Sequence, residues 1–247
     1  MIQEDKMTKE NWNSKWKREE FGGIARTCAQ IIENELLDKW CPKKGTIIEA
    51  GCGLGRNLLH MSKWKDLKLI GIDYSSNVIK KAKKLFKERG AKAKFILGDI
   101  SSLKFEDNSV DLVFNQGVIE HFQKPEESLK EMIRVTKKRI IVIVPNALSF
   151  DGIISIILKG LSKCGLYDYK TRFPYDWKIF FTKKSLCNLL RKLNCKIVYS
   201  KNIGIMPILP IPAKIVPLWV IKMSVNLEKF PLPKREIFVV ADKIKDY

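Results

Sequence analysis

The stretch that decides the fold reads Ile48-Glu-Ala-Gly-Cys-Gly-Leu-Gly-Arg-Asn57. Immediately upstream, Thr46-Ile-Ile-Glu-Ala50 is a short apolar run that predicts a strand. Downstream, Leu54 to Lys63 predicts a helix. Gly51, Gly53 and Gly55 permit a tight turn between them, and without side chains they let a ligand approach the backbone. A helix start behind such a turn favours a negatively charged group. The third glycine follows the second by two residues rather than three, so the turn is not the dinucleotide fingerprint G-x-G-x-x-G. Glu49 stands two positions before the first glycine. A carboxylate there would repel a pyrophosphate and attract a cation such as an amino acid's ammonium group.

Working outward, strand and helix alternate, which is the signature of a largely parallel sheet. Residues 8–20 and 24–40 have helical patterning ahead of the motif. After it come a strand over 67–73 and a helix capped by Ser75 or Ser76 and closed by Gly90. Its apolar positions Val78, Ile79, Ala82, Leu85 and Phe86 fall at helical spacing. Further strands are expected at 94–97, 110–115, 139–144, 196–200 and 236–241. Helices are expected to start at Pro125 and, capped by Thr182, to carry Leu186, Leu189, Leu190 and Leu193 on one stripe. The fold class is therefore α/β, with seven strands in a doubly wound, mostly parallel sheet. One domain is expected over 1–247: N-terminal helices to 44, a ligand-binding core over 45–145, and cap insertions over 146–181 and 201–235. Connections as long as these two are usually functional in a compact domain.

Adjacent parallel strands end at a shared crevice. At that edge Asp73 closes the second strand, Gly98-Asp99-Ile100 closes the third and Asn115-Gln116-Gly117 closes the fourth. Each could be turn chemistry alone; their joint placement beside the glycine loop points to a ligand. Asp73 can accept hydrogen bonds from two ribose hydroxyls.

At these residues the chain resembles the class I S-adenosylmethionine-dependent methyltransferases, in particular their type 11 branch. The resemblance spans about residues 45–145. It is carried by the glycine loop, Gly71-Ile-Asp-Tyr-Ser75, Gly98-Asp-Ile100 and Asp111-Leu-Val-Phe-Asn-Gln-Gly-Val-Ile-Glu-His121. It implies S-adenosylmethionine as cofactor, with Glu49, Gly51, Gly53 and Gly55 holding the methionine part. It implies Asp73 on the ribose, Asp99 at the adenine amino group with Ile100 beside the ring, and Asn115 and Gln116 on the methionine side. Arg56 either reaches the methionine carboxylate or faces solvent. The family's last strand is inserted antiparallel, and the closing strands here fit that arrangement.

Methyl transfer needs a base only where the acceptor must lose a proton. His121, just past the fourth strand, is the candidate, and a capping or packing role competes with it. His60 is expected to pack or face solvent. Trp12 and Trp16 sit on the first helix. Tyr167, Tyr169, Phe173, Tyr175 and Trp177 lie in the first long connection and suit either a pocket wall or cap packing.

The chain carries 46 Lys and Arg against 27 Asp and Glu, a formal net charge of +19. That balance suits a nucleic-acid or membrane-surface partner, but the lysines are spread along the chain without a concentrated basic motif. The fourth strand is followed by Asn115-Gln-Gly-Val, not Asn-Pro-Pro-Tyr, which disfavours methylation of a base amine and leaves other RNA or protein targets open. Six scattered cysteines, no C-x-x-C pair and two histidines predict no metal site and a cytoplasmic location. No apolar run is long enough for a transmembrane helix. The segment 203–233 is apolar, holds prolines at Pro207, Pro210, Pro212 and Pro217, and is flanked by lysines. A lid or a contact surface is expected there, with peripheral membrane contact as the other reading. Taken together, the expected activity is methyl transfer to a small organic or lipid-like acceptor. An RNA or protein acceptor is the first alternative and a non-catalytic S-adenosylmethionine-binding protein the second. A nicotinamide oxidoreductase is disfavoured by the glycine spacing. Nothing in the sequence specifies an oligomeric state.

Overall fold

A computed structural model describes residues 24–166, 179–204 and 234–244. The expected helix over 8–20, the aromatics between Tyr167 and Trp177, and nearly all of the segment 203–233 lie outside those residues.

In chain order the elements are α1 (Ile24–Trp40), β1 (Gly45–Ala50), α2 (Arg56–Met61), β2 (Leu67–Asp73), α3 (Ser76–Glu88), β3 (Lys94–Leu97), β4 (Val110–Gln116), α4 (Pro125–Val135), β5 (Thr136–Pro145), α5 (Phe150–Lys163), α6 (Lys183–Lys192), β6 (Cys195–Ile203) and β7 (Glu236–Lys243). A single turn of 3₁₀ helix, Ile119–His121, follows β4. The seven strands form one sheet in the order β3-β2-β1-β4-β5-β7-β6. The first five are parallel, and β7 runs antiparallel between β5 and β6.

Side-chain alternation sorts the strands' residues onto two faces. Ile47, Leu112 and Phe114 point to the face covered by α1, α2 and α3, where they meet Leu37, Leu58, Met61, Ile79 and Phe86. Ile48, Val113 and Val142 point to the other face, where α4 and α6 supply Leu129, Met132, Leu186 and Leu190. Both faces being covered explains why the parallel strands read as continuous apolar runs.

Local chemistry sets the helix ends where the sequence placed them. Ser75 Oγ accepts from the Val78 amide at 3.3 Å. Thr182 and Ser185 cap α6 reciprocally, at 3.1 and 2.9 Å. Two differences have plain causes. The helix after the glycine loop starts at Arg56 rather than Leu54, because Gly55 is left-handed (φ 71°) and stands at its N-cap. β5 begins at Thr136 rather than Arg139, because α4 runs into it without a loop.

The direction in which successive strands are added to the sheet reverses between β1 and β4. From β1 the chain winds outward to β2 and β3, then returns to β4 on the other side. The crevice outside the carboxyl ends of β1 and β4 is the switch point where open α/β sheets bind ligands.

Candidate functional site

The glycine loop is strapped to both neighbouring strands. The Gly51 and Cys52 amides donate to Ile72 O at 2.8 and 2.9 Å, and the Gly53 amide donates to Asp73 Oδ2 at 2.9 Å. From the other side Asn115 Nδ2 donates to Ala50 O at 2.6 Å. All three motif glycines have left-handed φ values, 78°, 53° and 71°. At Gly51 the need is also steric: a Cβ would lie 2.4 Å from Val118 Cγ2. Gly51→Ala is therefore expected to cost roughly 2–4 kcal/mol, combining left-handed strain with the clash. Val118→Ala in the same chain should restore the steric part and leave the strain, which urea unfolding of the four variants in a cycle would resolve.

Asp73 has two visible tasks. Its Oδ2 holds the Gly53 amide and its Oδ1 accepts from the Ser75 amide at 2.9 Å. Asp99 is half-buried and forms its own turn, its Oδ1 accepting from the Ser101 amide and hydroxyl at 2.9 and 2.7 Å. Ile100 packs in the core with Ile72 and Leu103.

Glu49 lies beneath the loop rather than at its rim, and its side chain is buried. Its Oε1 accepts from Asn57 Nδ2 at 2.9 Å. Burial raises its carboxyl to about 8, against the lowering effects of the Asn57 hydrogen bond and the Arg56 charge. From the sequence this carboxylate reads as ionised; in the fold, burial favours the neutral acid until a cation arrives to offset it.

Asn57 is the residue that sequence reasoning missed. Its amide nitrogen donates both to Glu49 and to Gln116 Oε1, at 2.9 and 2.7 Å, and its Oδ1 accepts from Gln30 Nε2 at 2.9 Å. One buried side chain thereby links α1, β1, α2 and β4. A polar residue beside Leu58 on a short helix that packs on the sheet was the available signal. Glu33 was missed too. It lies on the buried side of α1 with Ile32 and Leu37, and a charged residue at that spacing marked it. Burial and the neighbouring Glu236 carboxyl push its own carboxyl well above the ordinary range, while Gln116 and Arg56 act the other way.

Two buried acceptor atoms in this region, Glu49 Oε2 and Asn115 Oδ1, accept no hydrogen bond among the described residues. Buried acceptors left so cost roughly 1–3 kcal/mol each. A ligand bearing donors next to a glycine cradle would relieve that cost.

His121 is buried in the 3₁₀ turn, its Nε2 3.8 Å from Glu120 Oε1. The turn is pinned to the end of the first long connection by the Ile179 amide, which donates to Glu120 O at 3.1 Å. His60 belongs elsewhere: its Nε2 sits 2.6 Å from Asp38 Oδ1, joining α2 to α1 at the surface. The structure thus brings Glu49, the three glycines, Asp73, Asn115 and Gln116 to one crevice, with Asp99 and Ile100 on the β3 side.

Residues 48–144 match a sequence family described as a methyltransferase domain. The chain is 33% identical over 131 residues to ajmaline N-methyltransferase of Rauvolfia serpentina, covering 50% of this chain and 45% of that protein. It is 33% identical over 171 residues to carboxy-S-adenosyl-L-methionine synthase of Campylobacter curvus, covering 69% of this chain and 62% of that one. The chain spans less than half the length of the first curated relatives it matches. Among solved structures, magnesium protoporphyrin IX methyltransferase from Synechocystis PCC 6803, with bound SAH, superposes with a TM-score of 0.60 at 14% identity, covering 95% of this chain and 93% of that one. That likeness is one of fold.

Proposed function

We propose that this chain, which belongs to the class I S-adenosylmethionine-dependent methyltransferase family, binds S-adenosylmethionine at the β1–β4 crevice and transfers its methyl group to a small organic or lipid-like acceptor. The observation that carries the reading is the glycine cradle with two buried, unsatisfied acceptor atoms beside it, Glu49 Oε2 and Asn115 Oδ1. The family's cofactor carries an ammonium group and hydroxyls, the donors such a site lacks.

Glu49 and Gly51, Gly53 and Gly55 would hold the methionine part, with Asn115 and Gln116 on its other side. Asp73 would take the ribose hydroxyls, and Asp99 the adenine amino group with Ile100 beside the ring. Asn57 is the positioning residue that fixes Glu49 and Gln116 relative to each other. When bound, S-adenosylmethionine supplies an activated methyl group that an acceptor atom can displace in line. The chain's own contribution is alignment and exclusion of water, which effective-molarity arguments value at roughly 7–11 kcal/mol of barrier. For an acceptor that must lose a proton, His121 is the proposed base, steadied by Glu120. The small-molecule acceptor is supported by the likeness to ajmaline N-methyltransferase, whose name carries an acceptor of that size.

Calorimetry should give micromolar binding of S-adenosylmethionine and no binding of NAD; the reverse would defeat the reading. With methyl-labelled S-adenosylmethionine and a cell extract, label should enter the organic-soluble fraction. Label confined to RNA or protein would replace the acceptor class. His121→Gln should lower turnover about a hundredfold, and change its pH profile, without changing cofactor affinity. An unaltered pH profile would remove His121 from the chemistry.

A further inference from the structure

The first long connection holds a helix whose polarity is reversed for a surface element. α5 begins five residues beyond the end of β5, so it rises from the same sheet edge as the crevice. Its base is firmly built. Ser149 Oγ accepts from the Gly152 amide at 3.0 Å, and Asn146 Nδ2 donates to Lys234 O at 2.8 Å. Gly152 lies so close to the Asn146 and Ala147 carbonyls that a Cβ there would sit 2.5–2.6 Å from them. Beyond this anchor, Ile153, Ile156, Ile157 and Leu161 fall at i, i+3, i+4 and i+8 and share one face, bordered by Ile154. That face is the exposed one: Ile154 and Ile157 are 54% and 56% exposed, and Leu148 and Leu166, just before and after the helix, are exposed as well. Ser155, Lys159 and Ser162 lie on the less exposed side together with Leu158. Large isoleucines in such a contiguous exposed row mark an interaction surface rather than scattered surface apolars.

The surroundings are basic. From Asn146 to Lys192 the chain carries nine Lys and Arg against three Asp. Lys163 is exposed on the flank of α5. Exposed Lys183 and Lys184 open α6, which the Asn146–Phe181 bridge places beside the base of α5. Two copies of a chain with a net charge of +19 would bring like-charged flanks together across this face. An anionic lipid surface has the complementary sign and takes apolar side chains into its acyl boundary while lysine stems reach its headgroups. No helix among the described residues is long and apolar enough to cross a membrane, so the contact is parallel to the surface.

We infer that α5 docks this protein on anionic membranes, its Ile153–Leu161 face entering the bilayer interface and Lys163, Lys183 and Lys184 meeting lipid phosphates, with the crevice edge turned toward the lipid. The docking surface stands independently of methyl transfer.

The test is flotation with vesicles of phosphatidylcholine containing one third phosphatidylglycerol, and with phosphatidylcholine alone. The wild-type chain should float with the anionic vesicles and far less with the neutral ones. I154E/I157E, at two exposed positions that leave the core untouched, should weaken that binding about a hundredfold. Its melting temperature and S-adenosylmethionine affinity should stay unchanged. K163E/K183E should weaken binding to anionic vesicles only. A wild-type chain that stays unbound, or an I154E/I157E variant that floats equally well, would overturn the inference. So would a wild-type dimer, by light scattering, that this variant dissociates, since the face would then belong to a second copy. Flotation without any S-adenosylmethionine binding would uphold the docking surface and defeat the catalytic reading instead.

Discussion

Replacing Asp73 by alanine is expected to weaken S-adenosylmethionine binding by about a hundredfold or more, because the side chain acts twice. It fastens the loop through the Gly53 amide and starts α3 through the Ser75 amide, at 2.9 Å each. Its carboxylate is the proposed acceptor for the ribose hydroxyls. Each orphaned partner costs roughly 1–3 kcal/mol, and about 1.4 kcal/mol is a factor of ten in affinity. The two tasks separate experimentally. Thermal unfolding without ligand reads the loop strap, and calorimetry with S-adenosylhomocysteine reads the sum. A variant that melts earlier yet binds as tightly as wild type would leave Asp73 as a strap alone and remove the ribose assignment.

The second large effect concerns Glu49 and pH. Burial raises its carboxyl from 4.5 to about 8. The folded state therefore holds a proton that the unfolded chain releases as pH climbs through 4.5. Its contribution is fully favourable below about 4.5 and is lost progressively as pH rises toward 8, at up to about 1.4 kcal/mol per pH unit. Glu49→Gln mimics the neutral acid and escapes this penalty. Without ligand, the variant and wild type should have similar stabilities near pH 4.5. By pH 8 the variant should be ahead by on the order of 3–5 kcal/mol in urea unfolding. Ligand binding should show the opposite order. A cationic ammonium beside Glu49 favours the ionised form, so wild-type affinity should rise between pH 6 and 8 while the variant's stays low and flat. A stability gap that does not change with pH would mean that Glu49 is ionised throughout. A pH-independent wild-type affinity would place the ammonium elsewhere.

Much of this architecture is legible without coordinates, and the reasons are local. The strand at 67–73, the strand at 94–97, the Ser75 and Thr182 caps and the Pro125 helix start follow from side chains acting on backbone within four residues. The glycine loop is legible for the same reason, since left-handed φ at Gly51, Gly53 and Gly55 is a property of those residues. The antiparallel insertion of β7 between β5 and β6 came from family likeness rather than from periodicity, because alternation specifies a strand's faces and not its neighbours.

What determines the site's electrostatics is non-local. Asn57 meets Gln116 across 59 residues of chain, and Asn115 meets Ala50 across 65. Glu33 meets Glu236 across most of the molecule. No window of sequence contains either member of such a pair with its partner, so Asn57 read as an ordinary helix residue and Glu49 as an ionised one. Burial turned the first into the link among four elements and the second into a weak acid near neutrality. The same holds for α5: the sequence marked residues 146–181 only as a cap insertion, and the structure supplied both the helix and the outward direction of its isoleucines. By itself the sequence determined the strand–helix alternation, the glycine turn and the family of the fold, because those rest on residues adjacent in the chain. The tertiary structure decided which carboxyls are neutral, which amide holds them and which way the isoleucines of α5 point, because those depend on what the rest of the chain brings alongside.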